Sequence, residues 1–390
     1  MVKDSNIQAF FEQLKAGLWS DWRSVQEFNV QEFKDVDWER VYQLAQEQSV
    51  QGVVLRGIEE LRAKNLELSV PRVLLLQWIG EVQVIEQQNK DMNVFIADLI
   101  EKLRKADVYA ILVKGQGVAQ CYERPLWRCS GDVDLLLSSD NYEKASYSLD
   151  NLTGNMALQT VKDAERKHRE YQIEDWSVEL HGTMHTNLSK EIDKEIDRVQ
   201  QDVFCGGKVR SVEFKSSGGS KIQVFLPAPD EDVIFVFTHI LQHLFLEGIG
   251  LRQICDWCRL LWTYKDSLNY GLLESRIKAM GLMTEWKAFG AFAVKYLGMN
   301  PDAVPFLGSM FNVQCSMLFK KADRLMCFIL EVGNFGHNRE VEWSNGFKRR
   351  TSLIWHRITD TFKLSFVFPL DAPKFLFNYA VDGVRGLMRW

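Results

Sequence analysis

Asp132 and Asp134, in the segment Gly131-Asp132-Val133-Asp134-Leu135-Leu136-Leu137, are the residues of this chain best suited to chemistry. Successive side chains on a strand point to opposite faces, so the two carboxylates share one face while Val133, Leu135 and Leu137 share the other. Two unit charges about 4 Å apart repel by roughly 4 kcal/mol at an effective dielectric near 20, so such a pair holds either a shared proton or a divalent cation. Hard oxygen ligands on a stiff strand suit Mg²⁺, which keeps its other positions for water and substrate phosphate. Phosphoryl or nucleotidyl transfer is the chemistry to expect. A solvated strand end with no chemistry would carry the same two residues.

Two further segments bear on this choice. Upstream, the apolar run 109–113 stops at Lys114-Gly115-Gln116-Gly117 and leads into a short helical pattern. Glycine there permits close backbone approach, and the N–H groups that open a helix can receive a phosphate, although a plain strand-to-helix turn has the same composition. The segment is not a Walker loop, because Lys114 precedes its glycine. Downstream, 170–174 and 177–183 read as strands in which Glu179 and His181 share a face opposite Val178 and Leu180. Glu179 is then either a surface residue or a third carboxylate, able to complete a metal shell and to take a proton from an attacking hydroxyl.

Together these residues resemble the DNA polymerase β type nucleotidyltransferase superfamily, and within it the bacterial group of uncharacterised nucleotidyltransferases. The resemblance runs from Leu112-Val113-Lys114-Gly115 through Tyr122, Pro125 and Arg128 to Gly131-Asp132-Val133-Asp134. It continues through Lys167-His168 and Val178-Glu179-Leu180-His181 to His239, His243 and the segment 248–256, and so covers roughly residues 75 to 340. It implies that Asp132, Asp134 and Glu179 hold one or two Mg²⁺ ions and that Lys114 and Gly115 face the phosphates of an NTP. Gln116, Arg128, His181, His239, His243 and Arg252 complete the expected nucleotide contacts. Gln116 stands where the superfamily usually carries Ser or Gly, and the gap from the turn to Asp132 is longer than usual.

The elements that must position these residues follow from periodicity. Leu75, Trp78, Val82, Ile85, Met92, Ile96, Leu99 and Leu103 recur at three- and four-residue steps, with one longer step at Asn89, and Pro71 fits a first turn. Strands are expected at 109–113, 132–137, 170–174 and 177–183, with a hairpin of 208–214 and 221–226 around Ser216-Ser217-Gly218-Gly219. Helices fill 142–152 and 189–203. After Pro227-Ala228-Pro229 the pattern is helical, with Asp230, Glu231 and Asp232 where the helix dipole favours acids. The expected fold is α+β: a small mixed-sheet nucleotidyltransferase lobe (105–226) between an N-terminal helical region (1–104) and a C-terminal helical domain (227–390).

His239 and His243 lie one helical turn apart. Ile240 stands where a zinc protease helix carries Glu, which leaves either a hydrogen-bonded pair at a packed interface or a nucleotide or acceptor contact. Arg252 and Asp256 are i and i+4 in the weaker orientation for a helical pair, so an interlobe or phosphate role for Arg252 is expected.

The chain has 390 residues with 46% hydrophobic and 25% charged, enough for two or three lobes of ordinary globular composition. A net charge of −5 argues against general nucleic-acid binding. From residue 348 onward, however, the basic residues Lys348, Arg349, Arg350, Arg357, Lys363, Lys374, Arg385 and Arg389 outnumber the acids Asp360, Asp371 and Asp382. A solvated helix surface or a face for an anionic partner is expected there. Seven cysteines without disulfide spacing fit a reducing compartment, and Cys255-Asp256-Trp257-Cys258 reads as buried thiols rather than zinc ligands. With no signal-like start and no membrane span, the expected location is cytoplasmic.

The expected activity is thus transfer of an NMP from an NTP to a hydroxyl acceptor with release of pyrophosphate. The acceptor is a small molecule, a carbohydrate or a protein side chain. A nucleotide-binding regulator that has lost turnover, for which Gln116 argues, and an antitoxin-like enzyme that modifies another protein are the alternatives.

Overall fold

Alternating apolar residues place a six-stranded mixed sheet between two cores. The strands are β1 (Ile111–Val113), β2 (Val133–Leu136), β3 (His168–Ile173), β4 (Trp176–His181), β5 (Val209–Lys215) and β6 (Lys221–Pro227), in the spatial order β3-β4-β2-β1-β6-β5. In this computed structural model the described residues are 4–20, 35–64, 68–153, 167–307, 315–336, 338 and 346–388. β1 runs antiparallel to β2 and parallel to β6, β2 runs parallel to β4, and β3–β4 and β5–β6 are hairpins. The α+β expectation holds, with the predicted strand ends displaced by at most two residues. Asp132 sits one residue before β2, and its i, i+2 relation to Asp134 is retained.

One face of the sheet buries Leu112, Val133, Leu135, Leu137, Val178 and Leu180 against the long helix α4, which is numbered below. The other face offers Ile111, Val113 and Leu136 to a larger helical core. The alternation read from 132–137 therefore separates the two cores, and the acids stand on the second face.

Helices α1 (Ser5–Leu18), α2 (Trp38–Glu47), α3 (Gln51–Ala63) and α4 (Arg72–Lys105) precede the sheet. Pro71 caps α4 from the position just before its first residue. The long step in the α4 stripe is filled by Asn89, which is buried and donates from Nδ2 to the carbonyls of Leu126 and Arg128, both at 2.8 Å. α1 and α3 cross backbone to backbone: a methyl group on Gly17 would stand 1.8 Å from Val53 O, and one on Gly57 1.8 Å from Gln13 O. Gly57→Ala is expected to force the two helices apart at a cost of about 1–3 kcal/mol. A urea unfolding midpoint unchanged from the parent would contradict that packing.

Within and after the sheet come α5 (Gly115–Ala119), α6 (Ser139–Thr153), α7 (Lys190–Cys205), α8 (Pro229–Leu246) and α9 (Leu251–Tyr264). α10 (Tyr270–Met280), α11 (Met283–Leu297), α12 (Cys315–Val332), α13 (Gly346–Ser365) and α14 (Asp371–Met388) follow. α8 opens on Pro229 with Asp230, Glu231 and Asp232 in its first turn, as its sequence dictates. Cys255 and Cys258 of α9 are fully buried free thiols whose pKa burial raises, the inert state expected of them. Among the described residues no helix is long and apolar enough to cross a membrane. In the basic C-terminal stretch, Lys363 pairs with Glu331 and Lys374 with Glu191, while Arg357 stacks over the Tyr379 ring. The side chains of Lys348, Arg349, Arg350, Arg385 and Arg389 lie outside the described residues.

Glu285 of α11 has no solvent exposure. Burial, reinforced by the Asp371 carboxylate, pushes its pKa up to about 8. An acid whose folded pKa exceeds its unfolded value, about 4.3, contributes fully below that value and loses the contribution as pH climbs through the folded pKa. Glu285→Gln should therefore leave Tm nearly unchanged at pH 5 and raise it above that of the parent at pH 8.5. A Tm difference that stays flat across this range would show that Glu285 is ionised throughout.

Candidate active site

The turn after β1 is built by two successive residues of positive φ. Lys114 lies at φ 56°, ψ −148° and Gly115 at φ 36°. A non-glycine residue there costs on the order of 1–3 kcal/mol, which its surroundings must offset. The offset comes from the side chain, because Lys114 Nζ lies 2.6 Å from Asp134 Oδ1. A Cβ on Gly115 would stand 3.3 Å from Asp132 O, so the turn packs directly beside the acidic segment. α5 has only five residues and contributes local N–H groups rather than a developed macrodipole.

Strand register sets the acids. Asp134 lies abreast of Val113 on one side and of Glu179 on the other. Its Oδ1 also meets His181 Nε2 at 2.8 Å. Glu179 Oε2 in turn lies 3.3 Å from both His168 Nε2 and His181 Nε2. Asp132, Asp134, Glu179, Lys114 and Gly115 all line one cavity of about 450 Å³, whose opposite wall is formed by α8 and α9.

Charge is unevenly held across this cavity. Burial raises the Asp132 pKa, and Glu179 and Asp134 raise it further, which is the signature of crowded like charges. Burial also opposes the charge on Glu179, but the hydrogen bonds from His168 and His181 outweigh it and hold the carboxyl below its usual range. Lys114 and His181 are likewise desolvated. Asp134 and Glu179 nonetheless keep both pKa values above normal.

On the α8 wall, His239 Nε2 and His243 Nε2 are 3.1 Å apart, and His243 Nδ1 lies 2.9 Å from Glu247 Oε2. Burial, then Lys114 and His243, depress the His239 pKa well below normal, so its imidazole is neutral. Both histidines line the cavity, and they also bond to each other.

Arg252 lines the cavity as well, with Nη1 donating to Cys129 O at 2.9 Å. It makes no ion pair with a described residue, and its Nε is buried without a partner. Burial, then the neighbouring Arg128, lower its pKa. Asp256, one helical turn after Arg252, takes Arg128 in a two-pronged pair, Nε to Oδ1 at 2.9 Å and Nη2 to Oδ2 at 2.6 Å. Arg128 reaches the cavity wall with its guanidinium already engaged, so its first role is to join the segment before β2 to α9.

Gln116 is placed apart from the others. Its side chain is buried against α4, with Nε2 donating to Asn89 Oδ1 at 2.6 Å and to Ser130 Oγ at 3.1 Å, and it does not line the cavity. The expectation of a side-chain nucleotide contact at Gln116 is corrected accordingly: helix packing claims its amide. His168, by contrast, was named only within a sequence motif and stands among the acids. The strand bounds read from the sequence put the connection one residue too late; the observed two-residue connection at 174–175 pairs residues whose numbers sum to 349 and so sets His168 opposite His181. The segment after β4, including Thr183, His185 and Asn187, also lines the cavity and gave no sign in the sequence.

No curated protein and no solved structure matches the chain. A family model described as uncharacterised nucleotidyltransferase matches residues 34–298, a stretch that contains the whole sheet and every residue lining the cavity. With well over half of its length covered, the chain belongs to the uncharacterised nucleotidyltransferase family.

Proposed function

We propose that the cavity transfers an NMP from an NTP to a hydroxyl acceptor, assisted by Mg²⁺. The observation that carries this reading is the arrival of Asp132, Asp134 and Glu179 from two adjacent strands at one cavity, beside the Lys114 turn and facing Arg252. The residues fit a hard divalent cation: three carboxylates crowd together, and burial with mutual repulsion already lifts the proton affinity of Asp132. When bound, the ion supplies Lewis-acid polarisation of the α-phosphate and neutralises the departing pyrophosphate.

The chain's own residues have distinct tasks. Lys114 and Arg252 bind the triphosphate, Arg252 being a cation that pairs with no carboxylate among the described residues. Glu179, kept ionised by two histidines, serves as a ligand. The acceptor oxygen bonds to the α-phosphorus as the bridge to the β-phosphate breaks. The bond pair leaves with pyrophosphate, and the hydroxyl proton passes to a cavity carboxylate. Gln116, the residue that argues for a regulator without turnover, packs against Asn89 rather than lining the cavity.

Incubation of the full chain with Mg²⁺ and each α-labelled NTP in cell extract tests the reading. Label should move from NTP to an acceptor, with stoichiometric pyrophosphate. NTP binding with neither label transfer nor pyrophosphate would replace it with the regulator.

A further inference from the structure

We infer that His168, Glu179 and His181 form a binding site for a divalent transition-metal ion, one that shares Glu179 with the hard-cation position at the aspartates and differs from it by its two imidazoles. What the ion does rests on the nucleotidyl-transfer reading, whereas its binding rests on geometry alone.

The three ligands come from one hairpin. His168 of β3 is paired directly with His181 of β4, and Glu179, two residues before His181, projects from the same face. Both imidazoles turn Nε2 toward the same carboxylate oxygen, each at 3.3 Å, and the three ligand atoms lie within 4.8 Å of one another. Bonds of about 2.0–2.2 Å at tetrahedral or octahedral angles place ligand atoms roughly 3.0–3.4 Å apart, so two edges of the triangle already have the required length. The hairpin end is also fixed: Gly182 N donates to Lys167 O at 2.7 Å, and a Cβ on Gly182 would collide with the Lys167 side chain at 2.6 Å. Asp134 Oδ1, 2.8 Å from His181 Nε2, is a fourth ligand within reach.

The donor set decides the class of ion. Mg²⁺ favours oxygen in near-ideal octahedra, whereas imidazole nitrogen with carboxylate suits Mn²⁺, Fe²⁺ and Zn²⁺. A simple ion-paired histidine cluster predicts a different outcome, since it needs only a proton and would bind these metals no better than any surface histidine.

The test uses the full chain stripped with EDTA, with no nucleotide present. Isothermal titration with MnCl₂, ZnCl₂ and MgCl₂ should show Mn²⁺ and Zn²⁺ bound more than about tenfold tighter than Mg²⁺. Pulsed EPR of the Mn²⁺-loaded parent should show coupling to imidazole nitrogen, a readout that requires no variant. His168→Gln, checked for folding by its melting profile, should lose the transition-metal preference while retaining Mg²⁺ binding. A preference below tenfold, absence of nitrogen coupling, or an undiminished preference in folded His168→Gln would each overturn the site. Failure of the nucleotidyl-transfer reading would instead appear in the label assay with Mg²⁺ alone.

Discussion

Asp134→Asn should lower nucleotidyl transfer by about a thousandfold or more, equivalent to about 4 kcal/mol of lost transition-state stabilisation. The magnitude follows from its position. Asp134 is abreast of both Val113 and Glu179, is only 6% exposed, and is the shared acceptor of Lys114 and His181. Asn keeps the volume but removes the charge, so it weakens cation binding and releases Lys114 from its ion pair beside the strained turn. Label-transfer rates with Mg²⁺ check the result, alongside a melting profile to confirm the fold. Activity within tenfold of the parent would take Asp134 out of the machinery. Asp132→Asn, at the more exposed end of the pair, should also lose transfer but should leave the Lys114 turn in place.

Asp256→Ala should be the most damaging single change to stability among the residues around the cavity. Arg128 and Asp256 are 6% and 7% exposed at their side chains, and the carboxylate also accepts from Tyr122 OH at 2.8 Å. Removing Asp256 strands a desolvated guanidinium and a buried phenol, a loss of about 3–5 kcal/mol. Asp256 holds the Arg128 pKa above normal against the burial that lowers it, the same imbalance seen from the other partner. A double variant, Arg128→Met with Asp256→Leu, should recover much of the loss, because two apolar groups leave no charge behind. Urea unfolding of the two single variants and the double variant measures the coupling. Additive losses would mean that the pair does not act as a unit.

The sheet was legible in the sequence wherever one face was apolar. Val133, Leu135 and Leu137 announced their core, and the i, i+2 relation of the aspartates survived even though Asp132 precedes the strand. Glu179 was legible as an acid on a strand, but its exact neighbour was not, because parallel pairing of β2 with β4 is set by a crossover through α6. Polar partnerships were the hardest to read. The i, i+4 orientation argued against Asp256 as the companion of Arg252, but nothing local named its partner: a residue from far upstream offers it a fork that matches both oxygens. Gln116 looked like a departure from a phosphate-binding turn, because its partner Asn89 is reached only after α4 has docked.

Asn89 gives the 34-residue α4 a grip on three places at once: the turn at Gln116, the carbonyl of Leu126 and the carbonyl of Arg128. The turn after β1 and the segment that carries Arg128 to Asp256 thus share one amide of this long helix. Any strain that flexes this helix near its middle displaces both together, so the two walls of the chamber keep their spacing or lose it in common.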